Sequence, residues 1–336
     1  MIYLLGTFWL SFAVTWLATP VASRLARRWG AVAVPRDRDM HVEPTPRWGG
    51  AAIALGTIVG TAVMISVGAA VQPGLYGWTP PVVGTIVGSV LIMLMGMADD
   101  RYDLRAIFQI GLLLVAGLVL IGFGVRVEGF TNPLVGLHHV YNPAAWVALS
   151  MPLGGLLTVM WVGAAAKTFD AMDGLDGLAA GIACIAGLTL ACIAFCSNLK
   201  EGHELALMAM AGVGACAGFL PYNVTPARIF MSSSGGYFLG FWMATLSILG
   251  CFKIVAATSV LVSVLILGVP LTDYCFVLLR RFLQGAPLMG ADRRHLHHRL
   301  LDRGLSRQQA VLVIYGWTAA LCSLALVLMR LGQVQP

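Results

Sequence analysis

Charge is scarce in this 336-residue sequence: Asp, Glu, Lys and Arg together make up 11% of it, against about 25% in an ordinary soluble domain. The short alternating segments of about ten residues that build a membrane β-barrel are missing too. No CxxC pair occurs, and the seven cysteines fall in or beside long apolar runs. That excludes a disulfide framework and a cysteine-ligated metal, and leaves small buried apolar residues. There is no low-complexity tract, no clear internal repeat and no stretch polar enough for a soluble domain. A transporter would need paired charges near the bilayer midplane and repeated halves, and the chain has neither.

What remains is apolar sequence, 59% of the chain, with a mean hydropathy of +0.85. Runs of about 20 residues with almost no charge mark membrane-spanning helices. Ten such runs stand at about 2–20, 49–71, 81–98, 106–124, 145–165, 177–195, 204–220, 236–252, 255–278 and 309–331. The fold class expected is therefore all-α: a single polytopic membrane bundle over residues 1–336. No positive charge precedes the first run, which reads as a retained helix rather than a signal peptide. A small hairpin is expected at about 125–144, where His138 and His139 read as surface residues.

With the N-terminus outside, loops at about 20–48, 99–105, 166–176, 221–235 and 279–308 fall on one side. They hold 17 of the 21 Lys and Arg residues, leaving Arg126, Lys200, Lys253 and Arg330 opposite. This positive-inside split puts both termini outside and those loops in the cytoplasm. It also accounts for the net charge of +6 without any nucleic acid. Of the fifteen acidic residues only Glu128, Glu201 and Glu204 lie on the outer side. The orientation rule does not demand that, so the acidic and basic cluster needs a reason of its own.

Each inner loop carries a dense polar motif. Residues 34–50, VPRDRDMHVEPTPRWGG, hold Arg36, Arg38, His41 and Arg47 before Gly49 and Gly50 open a helix. Guanidinium groups bind phosphate bidentately, and glycine at a helix start lets backbone approach an anion; a basic loop on anionic lipid headgroups is the alternative. Asp99 and Asp100, in GMADDRYDL, are adjacent carboxylates that repel unless they share a cation or one holds a proton. In KTFDAMDGLDGLAAG, residues 167–181, Asp170, Asp173 and Asp176 exceed what capping requires, although Asp at a helix start suits the dipole. Ser232, Ser233 and Ser234 before a glycine pair read as an anion nest or as plain caps. In DRRHLHHR, residues 292–299, the histidines have no cysteine beside them and Arg293, Arg294 and Arg299 around them, which favours phosphate over zinc.

In this order and on this side, these loops resemble the polyprenyl-phosphate N-acetylhexosamine-1-phosphate transferase family over about residues 34–304. The most specific matches are DD at 99–100, DGLDGLAAG at 173–181, NxxPA at 223–227 and DRRHLHH at 292–298; VPxxD at 269–273, followed by Arg280 and Arg281, fits as well. The last motif is most similar to the branch that uses UDP-N-acetylglucosamine or a related UDP-sugar.

The resemblance implies that a lipid phosphate attacks the β-phosphate of a UDP-sugar, releasing UMP and starting cell-envelope glycan synthesis. The partners implied are the UDP-sugar, polyprenyl phosphate and membrane lipid, in a bacterial cytoplasmic membrane, with a homodimer left open; the cofactor implied is Mg²⁺. Asp99, Asp100, Asp173 and Asp176 are then expected to be catalytic. His41, Lys167, Asn223, Arg293, Arg294, His295, His297 and His298 are expected to bind substrate. The chain departs from the family where Lys167 and Asp170 stand in place of two Asn, and where Ser233 stands in place of an Asp regarded as a magnesium ligand. Asp170 is accordingly expected to be the metal ligand, supplying the charge from another direction; in a separate reading Lys167 takes over part of the cation's work, and a simple pairing of Lys167 with Asp170 three residues on is the plainer alternative. A non-catalytic relative that binds lipid phosphate or nucleotide sugar, or partners an active enzyme, is the alternative.

Overall fold

The computed structural model describes residues 1–34, 44–131, 146–197, 201–250, 259–285 and 295–333. Its helices, in order, are α1 (Ile2–Trp29), α2 (Gly49–Val71), α3 (Pro80–Tyr102), α4 (Ala106–Gly122), α5 (Met151–Met172), α6 (Leu178–Cys196), α7 (Gly202–Asn223), α8 (Ser232–Gly250), α9 (Ser259–Ile266), α10 (Gly268–Leu283), α11 (Leu296–Asp302) and α12 (Arg307–Gln333). Two short antiparallel ladders accompany them: β1 (Val32–Ala33) with β2 (Thr45–Pro46), and β3 (Gly129–Thr131) with β4 (Trp146–Ala148). The chain is a polytopic helical membrane protein. Among the described residues, six helices are long and apolar enough to cross a bilayer: α1, α2, α3, α6, α7 and the Arg307–Arg330 part of α12.

Helices occupy all ten apolar runs, with instructive differences at their ends. Helix α1 continues to Trp29, so Arg24, Arg27 and Arg28 are helical rather than in a loop. Helix α3 continues to Tyr102 and takes Asp99 and Asp100 into its last turn. The run expected at 145–165 opens as strand β4, which pairs with β3 (Gly129 opposite Ala148), and becomes helical only at Met151; most of the hairpin expected at 125–144, with His138 and His139, lies outside the described residues. The single run at 255–278 is divided at Leu267 into α9 and α10.

Packing explains how so few large side chains hold the bundle together. In α1 a stripe of small polar residues recurs every fourth position: Thr7, Ser11, Thr15 and Thr19, all fully buried. A Cβ at Gly56 or Gly60 of α2 would fall on the hydroxyls of Thr15 or Ser11, and one at Gly214 or Gly218 of α7 on the backbone of Phe8 or Phe12. Small residues let helix backbones close on each other where lipid supplies no hydrophobic push between helices. Two of the hydroxyls find partners along the helix, Thr7 and Thr19 donating to the carbonyls of Tyr3 and Thr15, each at 2.7 Å, and Thr15 donates across to the Ala52 carbonyl of α2 at 3.3 Å.

Helix α8 is the centre of the bundle. Every residue from Ser234 to Gly250 is buried, and α2, α3, α5, α6 and α7 all pack on it. A helix apolar on all sides belongs inside. Its N-terminus, at Ser232, is the point on which the inner loops converge.

Candidate active site

The backbone of the fourth loop is stitched to the first. Gly49 and Gly50 donate to the carbonyls of Phe230 and Met231 at 3.0 and 3.1 Å, and Phe230 N–H donates to the Pro46 carbonyl at 2.8 Å. A Cβ at Gly50 would land on the Gly235 amide nitrogen. Glycine is required here for the close approach of two protein backbones, and the amides that could have met an anion are used within the fold. The second loop joins through Trp48, whose indole N–H donates to the Met97 carbonyl at 3.2 Å.

The serine run is an anion nest, and the anions are the protein's own carboxylates. Asp100 Oδ1 accepts Ser233 N–H at 3.0 Å and its Oδ2 accepts Ser234 N–H at 3.2 Å. Asp173 Oδ2 accepts Ser232 N–H at 2.7 Å. Ser232 has φ of +57°, a left-handed backbone that non-glycine residues rarely adopt. Asp176 Oδ2 accepts Ala227 N–H at 3.1 Å. Asn223, buried, is engaged at both ends of its amide: Oδ1 accepts Gly177 N–H at 3.0 Å and Nδ2 donates to the Ile229 carbonyl at 3.0 Å.

These contacts enclose a cavity of about 1170 Å³. Acidic and basic side chains line it together: Asp100, Asp103, Asp170, Asp173 and Asp176, with Arg27, Arg47, Arg101, Arg228, Arg307 and His298. All five inner loops contribute. Asp173, in the turn after α5, shows the strain of the acidic side chains: burial, and then the charges of Asp170, Asp100 and Asp176, raise its pKa from the ordinary carboxylate range to about 7.

Of the residues expected from sequence, Asp100, Asp170, Asp173, Asp176, Asn223 and His298 line the cavity. Asp99 and Lys167 do not. Asp99 Oδ1 accepts Leu104 N–H at 3.0 Å and Gln109 Nε2 at 2.7 Å. Lys167 donates to Gln109 and, at 2.8 Å, to Tyr237. His295 Nδ1 lies 2.9 Å from Oδ2 of buried Asp273, whose Oδ1 accepts Leu296 N–H at 2.6 Å; this pair anchors the fifth loop to α10. His297 is 2% exposed and packs against Gly174, where a Cβ would collide with its ring. Burial, and then the neighbouring His298 and His295, lower its pKa to about 3. His41, Arg293 and Arg294 lie outside the described residues. Sequence reasoning missed Arg27, Arg101, Arg228 and Arg307. Their signal was only the positive-inside excess, which does not say which arginines face inward.

The Glycosyl transferase family 4 model matches residues 82–251. The chain is 34% identical over 316 residues to the probable undecaprenyl-phosphate N-acetylglucosaminyl 1-phosphate transferase of Bacillus subtilis, covering 94% of this chain and 82% of that protein. It is 34% identical over 333 residues to the decaprenyl-phosphate N-acetylglucosaminephosphotransferase of Mycobacterium tuberculosis, covering 90% and 77%. It is 24% identical over 318 residues to the undecaprenyl-phosphate alpha-N-acetylglucosaminyl 1-phosphate transferase of Escherichia coli, covering 93% and 80%. With its cavity walled by carboxylates and arginines at one end of an apolar bundle, the chain belongs to glycosyl transferase family 4.

Proposed function

We propose that the protein transfers N-acetylglucosamine 1-phosphate from its UDP-sugar to a polyprenyl phosphate, releasing UMP, at the cytoplasmic face of a bacterial inner membrane that it crosses ten times. The observation that carries this is the cavity lined by both carboxylates and arginines. Two anionic substrates must meet at the membrane surface, so their charges need neutralising and their phosphates aligning. The arginines suit that task, since guanidinium groups take phosphate oxygens in pairs. The relatives are named as enzymes, which supports transfer over binding alone.

Mg²⁺ fits the carboxylates of the cavity in its usual mode, one or two of them with the remaining positions left to substrate oxygens and water. Among the described residues no group of three or more His, Cys, Asp or Glu is arranged to hold an ion unaided, and Mg²⁺ does not require one. Asp170 and Asp173 would hold it. Mg²⁺ bound there would offset the charge of the diphosphate. The protein's own groups divide the rest of the work. Asp100 shapes the fourth loop through two amides. Asp173 has one oxygen on Ser232 N–H, which leaves the other for the cation. His298 and the arginines position the leaving UMP.

The test is conversion of labelled UDP-N-acetylglucosamine and UDP-N-acetylgalactosamine by the purified full-length protein with undecaprenyl phosphate, in Mg²⁺ and in EDTA. The expected product is the lipid-diphosphate N-acetylglucosamine, formed in Mg²⁺ only. Product that persists in EDTA would overturn the metal assignment, and product from the galactosamine donor alone would overturn the sugar.

A further inference from the structure

Beneath the cavity, four side chains from four helices close a ring of hydrogen bonds. Gln109 Nε2 of α4 donates to Asp99 Oδ1 of α3 at 2.7 Å. Lys167 Nζ of α5 donates to Gln109 Oε1 and to the hydroxyl of Tyr237 of α8, the latter at 2.8 Å. The Tyr237 hydroxyl returns to Asp99 Oδ2 at 3.5 Å. The Lys167 ammonium also sits 4.8 Å from the centre of the Tyr237 ring, within cation–π range. None of the four side chains is among those lining the cavity.

Gln109 sets the direction of this ring. Its Nε2 donates both to Asp99 and, at 3.0 Å, to the Leu104 carbonyl. A flipped amide would turn its NH₂ on an ammonium and its oxygen on a carboxylate, so Oε1 must face Lys167. Lysine is a long chain with a point charge at its end, and it points where its partners hold it. One turn along the same face of α5 is Asp170, which feels the charge of Lys167 and has the Ser233 and Tyr237 hydroxyls beside it, and which does line the cavity.

We infer that Gln109 is a positioning residue, fixing the Lys167 ammonium one helical turn from Asp170 and thereby fixing the positive charge that steadies the Asp170 carboxylate at the cavity wall. This rests on the proposed transfer and adds a supporting layer to it: Asp99 anchors Gln109, Gln109 and Tyr237 anchor Lys167, and the Lys167 charge acts on Asp170. A small displacement of a group at the reacting centre costs rate without changing how substrate docks.

The experiment measures kcat and KM for UDP-N-acetylglucosamine in full-length protein in detergent, for Gln109→Leu, Tyr237→Phe, Lys167→Met and the two doubles that include Lys167→Met. Wild-type turnover tests the transfer itself; the ratios of variant to wild type test the positioning. Gln109→Leu and Tyr237→Phe each lower kcat by about tenfold and leave KM within about twofold, the signature of misplacement rather than lost substrate contact. In the Lys167→Met background Gln109→Leu lowers kcat no further, because it acts through that ammonium, whereas Tyr237→Phe still does, because its hydroxyl also meets Asp170. Tyr237→Phe, which keeps the ring and its packing, unfolds at the wild-type temperature. Effects of Gln109→Leu and Lys167→Met that multiply in their double would overturn the inference, as would a rise in KM with kcat unchanged, since Gln109 or Lys167 would then touch substrate directly.

Discussion

A histidine can hold a phosphate by charge only while it keeps its second proton. His297 is buried behind Gly174 with its pKa lowered to about 3, so it is neutral at any pH at which the enzyme would work. His298 lines the cavity. His298→Gln should raise KM for the nucleotide sugar, by about five- to tenfold for one lost contact, while His297→Gln leaves KM within about twofold of wild type. The two also differ in acid. Because its folded pKa lies below its unfolded value of 6.5, His297 makes the unfolded chain bind more protons between about pH 3 and 6.5, so stability falls as pH falls through that window. Unfolding temperatures measured from pH 7 down to 4 should decline less steeply in His297→Gln than in wild type. Equal slopes would mean that His297 is charged in the folded protein.

At the scale of an element, the start of α8 is where the site is built. Three consecutive amides, from Ser232 to Ser234, point at two carboxylates from different helices. Each carboxylate therefore ties α3 or the turn after α5 to the central helix. An amide left without a partner in a buried place costs about 1–3 kcal/mol. Asp100→Asn keeps one acceptor oxygen for two amides, and Asp100→Ala keeps none. Unfolding temperature should fall in that order, wild type above Asn above Ala, and turnover with it; variants of wild-type stability with no activity would instead make Asp100 a reacting group. This arrangement was half legible in the sequence. Paired carboxylates and a serine–glycine run both read as sites for an external charge, since both are unstable alone. That each answers the other, 133 residues apart, cannot be read from either motif. Gly49 and Gly50 misled for the same reason: glycine announces a close approach but does not name what comes close.

The whole molecule follows one rule that the sequence states openly: polar loops at one end, apolar helices between. Hydropathy found the helices because an unbroken apolar run has few other uses, and the charge asymmetry grouped the loops that meet at the cavity. Helix ends were less legible. Arg24, Arg27 and Arg28 in α1, and Asp99 and Asp100 in α3, continue their helices past the apolar limit, since a helix may run on into water while hydropathy marks only the hydrocarbon. The same asymmetry gives the direction proposed for the chain in the membrane. Gln72 follows α2 at the end away from the cavity, and Asp302 closes α11 beside it; both are exposed. In a background with the seven cysteines replaced, a membrane-impermeant thiol reagent should label Gln72→Cys in intact spheroplasts and Asp302→Cys only after lysis. Loops rich in Lys and Arg are retained on the cytoplasmic side, the side from which the proposed transfer takes its nucleotide sugar. Labelling of Asp302→Cys in intact spheroplasts would place the cavity on the far side of the membrane from its donor, and the proposed transfer would fail with it.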